Sequence, residues 1–288
     1  DYLSTFFLNI DGNATNFDSL AVQMSLFKYN FTVIGLAETN IDPVNSCLYQ
    51  LEGYSSCYQN RFYNDTKNQY KDKGTGVGLY VHNSMNFTKM SHLSLCKESI
   101  ESMFVTITNL PEPVIVGVIY RPPNSSLNEF NTEYEKILSA LHGKKSYILG
   151  DYNVNLLNMT SQLEQQYEET IFTRGFSPVI SIPTHQMPNC ARTCIDNIHT
   201  NDIDNQPIIS GVVADKISHH HPIFMMKKLN YTNVNIGQDT PPDKLTIHYN
   251  YSKANLEKLC DEIETDIDKF YHHCDTFDSF ITMFQEKI

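Results

Sequence analysis

Tyr147-Ile-Leu-Gly-Asp-Tyr-Asn-Val-Asn155 runs from apolar residues into a glycine and then releases Asp151 and Asn153 two positions apart. A short buried strand ending in Gly-Asp-x-Asn delivers both residues at the carboxyl edge of a sheet, where side chains emerge into a crevice. Alternation sends them to the same side if the chain stays extended. An acid that can take a proton, beside an amide that can donate hydrogen bonds, suits an anionic substrate attacked by water. Taken alone, the same residues equally suit the start of a loop.

Working outward, residues 126–141 carry Phe130, Tyr134, Ile137, Leu138 and Leu141 on one helical face, directly before this strand. Upstream, 100–110 and 114–120 read as strands joined by the turn Pro111-Glu-Pro113, which predicts antiparallel pairing and a mixed sheet. At the start, a strand over 3–10, an amphipathic helix over 16–29 and a strand over 31–37 make a βαβ-like opening. Residues 40–73 are polar connections with one short strand near 54–58. Gly74-Thr-Gly-Val-Gly78 has no Lys-Ser/Thr after it and opens no helix, so it reads as a close-packed strand edge rather than a phosphate loop. Downstream come a helix over 161–172, an extended run over 176–183, and strands over 193–199, 208–213 and 223–226. The texture changes after residue 228. Residues 229–250 suit a linker, and 251–288 carry helical spacing that leads towards a further domain.

At 288 residues with 41% hydrophobic content, residues 1–228 hold enough apolar material for one large α/β domain. No apolar run approaches the length needed to cross a bilayer. The formal net charge of −12 argues against nonspecific binding of polyanions over the whole surface, while leaving room for a local groove or a bound metal. Seven cysteines at irregular spacing read as free thiols in a reducing, intracellular compartment. Asn-x-Ser/Thr sequons at Asn13, Asn30, Asn64, Asn86, Asn124, Asn158, Asn230 and Asn250 keep secretion as a minority reading.

Separate strand ends deliver Asn9, Glu38, Tyr120, Asp151 with Asn153, Asp196 and His220. One such residue is noise, but several from one sheet edge converge in space. Oxygen donors such as Glu38 and Asn9 suit a hard cation, Mg²⁺ or Mn²⁺, that holds phosphate. With Asp151 as base and an imidazole as acid, that set can hydrolyse a phosphodiester.

Leu8-Asn-Ile10, Leu36-Ala-Glu-Thr39, Gly117-Val-Ile-Tyr-Arg-Pro-Pro-Asn124, Leu149-Gly-Asp-Tyr-Asn-Val-Asn155, Cys194-Ile-Asp-Asn-Ile198 and Ser218-His-His-His-Pro-Ile-Phe224 occur in that order. The set resembles the endonuclease/exonuclease/phosphatase superfamily, and within it the endonuclease domain of non-LTR (LINE-type) retrotransposon polyproteins. The resemblance implies a DNase I-like α/β sandwich, two mixed β-sheets packed face to face with helices outside. It implies an Mg²⁺- or Mn²⁺-dependent endonuclease that nicks DNA for target-primed reverse transcription in the nucleus, with a reverse transcriptase in the same polyprotein. Glu38 and Asn9 would sit at the metal, and Tyr120, Asn153, Ser218 and His220 at the scissile phosphate. Asp151 would orient or deprotonate water, and Asp196 would hold His220. Asp11 would add a supporting carboxylate.

One position departs from the pattern. The family reads Ser-Asp-His-x-Pro, whereas this chain reads Ser218-His219-His220-His221-Pro222. His219 therefore stands where an acid near the metal belongs, which predicts weaker Mg²⁺ binding. Two alternatives stay open: a phosphatase or phosphodiesterase of the same superfamily, and a decayed domain that only binds.

Overall fold

Apolar strands pair into two six-stranded sheets in the computed structural model, which describes residues 2–12, 14–27, 29–41, 46–59, 63–64, 69–70, 75–187, 190–204 and 206–229. The chain divides after Thr232, and the description concerns the first unit. The helices expected over 251–288, and all but Leu229 of the expected linker, lie outside the described residues.

In chain order the elements are β1 (Tyr2–Asn9), α1 (Ala14–Leu26), β2 (Val33–Ala37), β3 (Tyr54–Gln59), β4 (Tyr63–Asn64), β5 (Gln69–Tyr70), β6 (Val77–His82), β7 (Phe87–Lys89), β8 (Glu101–Ile107), β9 (Val114–Tyr120), α2 (Leu127–Ala140), β10 (Ser146–Asp151), α3 (Gln162–Thr173), β11 (Ser177–Pro178), β12 (Asp196–Thr200), β13 (Ile208–Val212) and β14 (Ile223–Lys228). One sheet has the order β13-β14-β1-β2-β6-β3, and the other β11-β12-β10-β9-β8-β7. Both are mixed, with β1–β2 and β9–β10 parallel and the other neighbouring pairs antiparallel. The expected layered α/β sandwich is therefore the fold.

Strand parity builds the layers. In β9, Val114, Val116, Val118 and Tyr120 join the core between the sheets, while Ile115 and Ile119 face a second core. That second core takes Phe130, Tyr134 and Ile137 of α2 and Tyr167 and Ile171 of α3. On the other outer face, Phe17 and Leu20 of α1 pack on Phe6, Leu8 and Ile34. Central strands buried on both faces read as continuous apolar runs for this reason. The helices begin where the sequence signals them: Ser126 caps α2, and Ser161 with Glu164 forms a capping box on α3.

Some expectations change. β6 lies inside its sheet, between β2 and β3, rather than at an edge. A Cβ on Gly78 would come within 2.7 Å of the Tyr58 ring, so the close approach expected there is real. β7 and the β4–β5 hairpin appear where the sequence carries too few residues for a period.

Candidate active site

The same parity places the polar strand ends. Tyr147 and Leu149 of β10 point into the core between the sheets, so Asp151 ends the strand on that inner side. In register, Asp151 lies beside Tyr120 on the parallel neighbour β9 and opposite Asp196 on the antiparallel neighbour β12. From the facing sheet, β1 ends at Asn9 and β2 hands over to Glu38. The inner-facing termini of both sheets thus meet along one rim.

Hydrogen bonds join Asn9, Glu38, Tyr120, Asp151 and Asn153, and His220 stands within ion-pair range of Asp151. Asn9 Nδ2 donates to Glu38 Oε1 at 2.9 Å and to Asp151 Oδ2 at 2.8 Å. Tyr120 OH donates to the same Glu38 oxygen at 2.9 Å. Asp151 Oδ1 also accepts from the Asn153 backbone N–H at 3.0 Å. His220 Nδ1 lies 2.9 Å from Asp196 Oδ2, and its Nε2 lies 4.0 Å from Asp151 Oδ2. Asn9, Tyr120, Asp151, Asp196 and His220 are buried, and Glu38 and Asn153 are half-buried.

Two of these residues stand on left-handed backbone, Glu38 at φ 51° and Asn153 at φ 49°. Such a conformation in a non-glycine residue costs free energy and clusters at functional sites. It also corrects an expectation: the chain does not stay extended from Asp151 to Asn153. The Asx turn closed by Asp151 Oδ1 bends it, and Asn153 Nδ2 donates to Arg121 O at 2.8 Å.

Burial, then the charge of Asp196, pushes the Asp151 carboxyl up to about 7, against the pull of His220 and the donors Asn9 and Asn153. For His220 burial alone favours the neutral ring, but Asp196, Asp151 and Glu38 together outweigh it and hold the imidazole at about 9. Tyr120 is raised by burial and by the charges of Glu38 and Asp151, so it stays a donor. The arrangement pairs a carboxylate able to accept a proton near neutrality with an imidazolium.

Ser218 donates to Asn9 O at 2.6 Å and accepts from His220 N–H at 3.1 Å, tying the His220 loop to β1. Asp11 is exposed, and its N–H donates to Asn9 Oδ1 at 3.1 Å. His219 is exposed as well, and the ring whose titration it affects is His185. It is not part of the cluster of Asp151, Asp196 and His220.

The sequence reading missed several participants. Buried Thr184 donates to Asp196 Oδ2 at 2.7 Å, fixing the acid that fixes His220. Buried Arg121 donates to Asn153 O at 3.1 Å and Ser125 O at 2.9 Å, holding the turn after β10. The His185 ring lies 4.6 Å from the His220 ring. Buried Glu101, opposite Tyr120 in the β8–β9 register, accepts from Gly76 N–H. Only Arg121 had a signal, since a buried arginine needs acceptors and it stands in the quoted Tyr120-Arg-Pro-Pro run.

Two places attract a cation. Donor atoms of Asp151, Asp196 and His220 lie within 4.8 Å of one another. Both nitrogens of the His220 ring face carboxylates within that group. Glu38 opens on a cleft of about 1080 Å³ that Asp11, Glu98 and Glu129 also line and that, among the described residues, no lysine or arginine lines. That oxygen-rich set has the donor chemistry that suits a hard divalent ion.

The fold is similar to that of solved endonuclease/exonuclease/phosphatase family proteins. The endonuclease domain of TRAS1, a telomere-specific non-LTR retrotransposon, superposes with TM-score 0.59 at 11% identity over 79% of this chain and 99% of that domain. AP endonuclease LMAP from Leishmania major gives 0.59 at 13%, covering 80% of this chain and 88% of its own. An endonuclease/exonuclease/phosphatase family protein from Bacteroides thetaiotaomicron gives 0.56 at 11%, covering 80% and 99%. No family model and no curated protein matches the chain. At such identities the likeness is one of fold.

Proposed function

We propose that this chain is a divalent-metal-dependent phosphodiester hydrolase that cuts DNA, the nicking module of a retrotransposon-type polyprotein acting in the nucleus beside a reverse transcriptase. One observation carries the hydrolase reading: a single network links Glu38, Asn9 and Tyr120 to Asp151, with Asp196–His220 closing its other side. The DNA and retrotransposon parts rest on the Tyr120-Arg-Pro-Pro-Asn124 and Gly150-Asp-Tyr-Asn-Val-Asn155 wording, which the TRAS1 fold likeness supports.

In this mechanism Asp151 takes a proton from water as the water oxygen bonds phosphorus and the bond to the leaving ester oxygen breaks. His220, kept charged by Asp196, donates a hydrogen bond to the phosphoryl oxygens, where negative charge builds. Tyr120 and Asn153 flank the same position. Glu38 and Asn9 would hold a divalent ion, which when bound would supply charge neutralisation for the phosphate and the leaving oxygen. Among the described residues no helix is long and apolar enough to cross a membrane.

A second reading is a phosphatase or phosphodiesterase for nucleotide, inositol or lipid phosphates, which the net charge of −12 and the carboxylate-lined cleft favour. Nicking of supercoiled plasmid with Mg²⁺ or Mn²⁺ tests the first. Wild type is expected to nick at least ~10² faster than Asp151→Ala, the usual scale for a general base. Equal rates defeat the proposal. If His219→Asp alone restores nicking, the departure at that position is what silences the site.

A further inference from the structure

A second cleft, of about 390 Å³, adjoins the site on the side away from Glu38. Its walls include Ile182, His185, Gln186, Arg192, Lys216 and His221. Burial and then neighbouring positive charge lower both imidazoles: His220, His219 and Lys216 act on His185, and Lys216 and Arg192 act on His221. Both shifts favour the neutral ring, so the positive charge of the cleft comes from Arg192 and Lys216, with His185 and His221 beside them as hydrogen-bonding imidazoles. Asp196 is the carboxylate that counters the positive charge at His185, and it is already spent on His220. The Lys216 ammonium reaches the Gln186 carbonyl at 3.5 Å, the far limit of a hydrogen bond. In a chain of net charge −12, Arg192 and Lys216 on one cleft wall make a local positive patch that suits an anion.

Its position says which anion. The network runs from His185 through His220, Asp151 and Asn9 to Glu38 and Tyr120. The basic cleft lies at one end of that row and the carboxylate-lined cleft at the other. A small phosphate ester would occupy the centre alone. A strand with successive phosphates would set one at the centre and the next against Arg192 and Lys216.

We infer that Arg192, Lys216, His185 and His221 form a subsite for a flanking phosphate of a polynucleotide strand, so that the substrate is a chain and not a small phosphoester. The inference rests on the hydrolase reading for the location of the scissile phosphate. Ile182, exposed at the cleft wall, gives the adjoining sugar or base an apolar surface.

The test uses the full chain and the double variant Arg192→Gln/Lys216→Gln, both exposed positions whose replacement leaves the core intact. Binding of a fluorescein-labelled single-stranded oligodeoxynucleotide is read by anisotropy across a salt series, beside plasmid nicking and hydrolysis of bis(p-nitrophenyl) phosphate. The variant is expected to bind about 10-fold more weakly, with the slope of log K against log salt shallower by about 1, since each phosphate contact on a single strand contributes ~0.7. Hydrolysis of the small diester should be unchanged, and Lys144→Gln, in another part of the surface, should bind like wild type. Wild-type affinity and slope in the double variant would overturn the subsite while leaving the nuclease reading intact. If instead wild type cuts nothing but the double variant loses oligonucleotide binding, the nuclease reading fails and the subsite stands.

Discussion

His220 faces a carboxylate at each ring nitrogen, Asp196 at 2.9 Å and Asp151 at 4.0 Å. Burial opposes its charge, and the two acids with Glu38 reverse that outcome, so the ring holds its proton up to about pH 9. Asp196→Asn removes the nearest charge while keeping an acceptor for the ring. The imidazolium should then be lost at lower pH, and the alkaline limb of kcat/KM should move down. Activity at pH 8 should fall by about 10² or more, with a smaller loss near pH 6, because a protonated donor is worth that order in a transition state. A uniform loss at every pH would show Asp196 to be merely structural. The positions were legible in the sequence because each stands at an end of an apolar run, Asp151 at the end of β10, Asp196 at the start of β12 and His220 just before β14. Thr184 was not, since its bond to Asp196 spans a loop whose path no periodicity describes. The loop start at Asp151 and Asn153 was legible as well, but not the Asx closure on Asp151 that bends the chain there, which depends on backbone conformation rather than composition.

At the level of the element, β10 owes its position to Gly150. A Cβ there would sit 2.5 Å from the Ile119 carbonyl oxygen, a backbone atom that cannot swing aside. Gly150→Ala should force β10 away from β9, cost about 1–3 kcal/mol as overpacking does, and displace the adjoining Asp151. Gly35, in β2, makes the control. An added Cβ would meet only the side chains of Leu149, Phe7 and Val118, each at 3.5 Å, which is ordinary contact. Gly35→Ala should therefore cost about 1 kcal/mol or less, offset by the conformational freedom that glycine loses in a strand. Urea midpoints and nicking rates for the two variants check this, and equal effects would refute it. The strands that carry the site were legible because they are long and doubly buried. β7 and the β4–β5 hairpin were not, because two or three residues hold no period.

Across the whole folded unit, two buried groups pull the acid stability in opposite directions. His199 stacks on Tyr152 with ring centroids 4.3 Å apart, lies 2.6 Å from the Tyr134 hydroxyl through Nδ1, and leaves Nε2 buried without a partner. Burial lowers its pKa to about 3. An unfolded chain binds that proton as pH falls through about 6.5, the folded chain only near 3, so stability present above 6.5 is lost across that window. The slope is about 1.4 kcal/mol per pH unit for one proton. Asp151 acts in reverse. Its pKa of about 7, against an ordinary 3.8, lets the folded chain bind the proton first, so falling pH stabilises the fold until the unfolded carboxylate also protonates. Between about pH 4 and 6.5 the two contributions offset each other, while His220 titrates above that range. Replacing one group should expose the other. In His199→Asn stability should rise as pH falls from 6.5 to 4.5, and in Asp151→Asn it should fall over the same interval. Urea denaturation across that range reads both slopes directly. Slopes of the same sign in the two variants would mean that one of these groups does not carry the protonation its burial imposes, and the catalytic carboxyl would then have to be sought elsewhere on the rim.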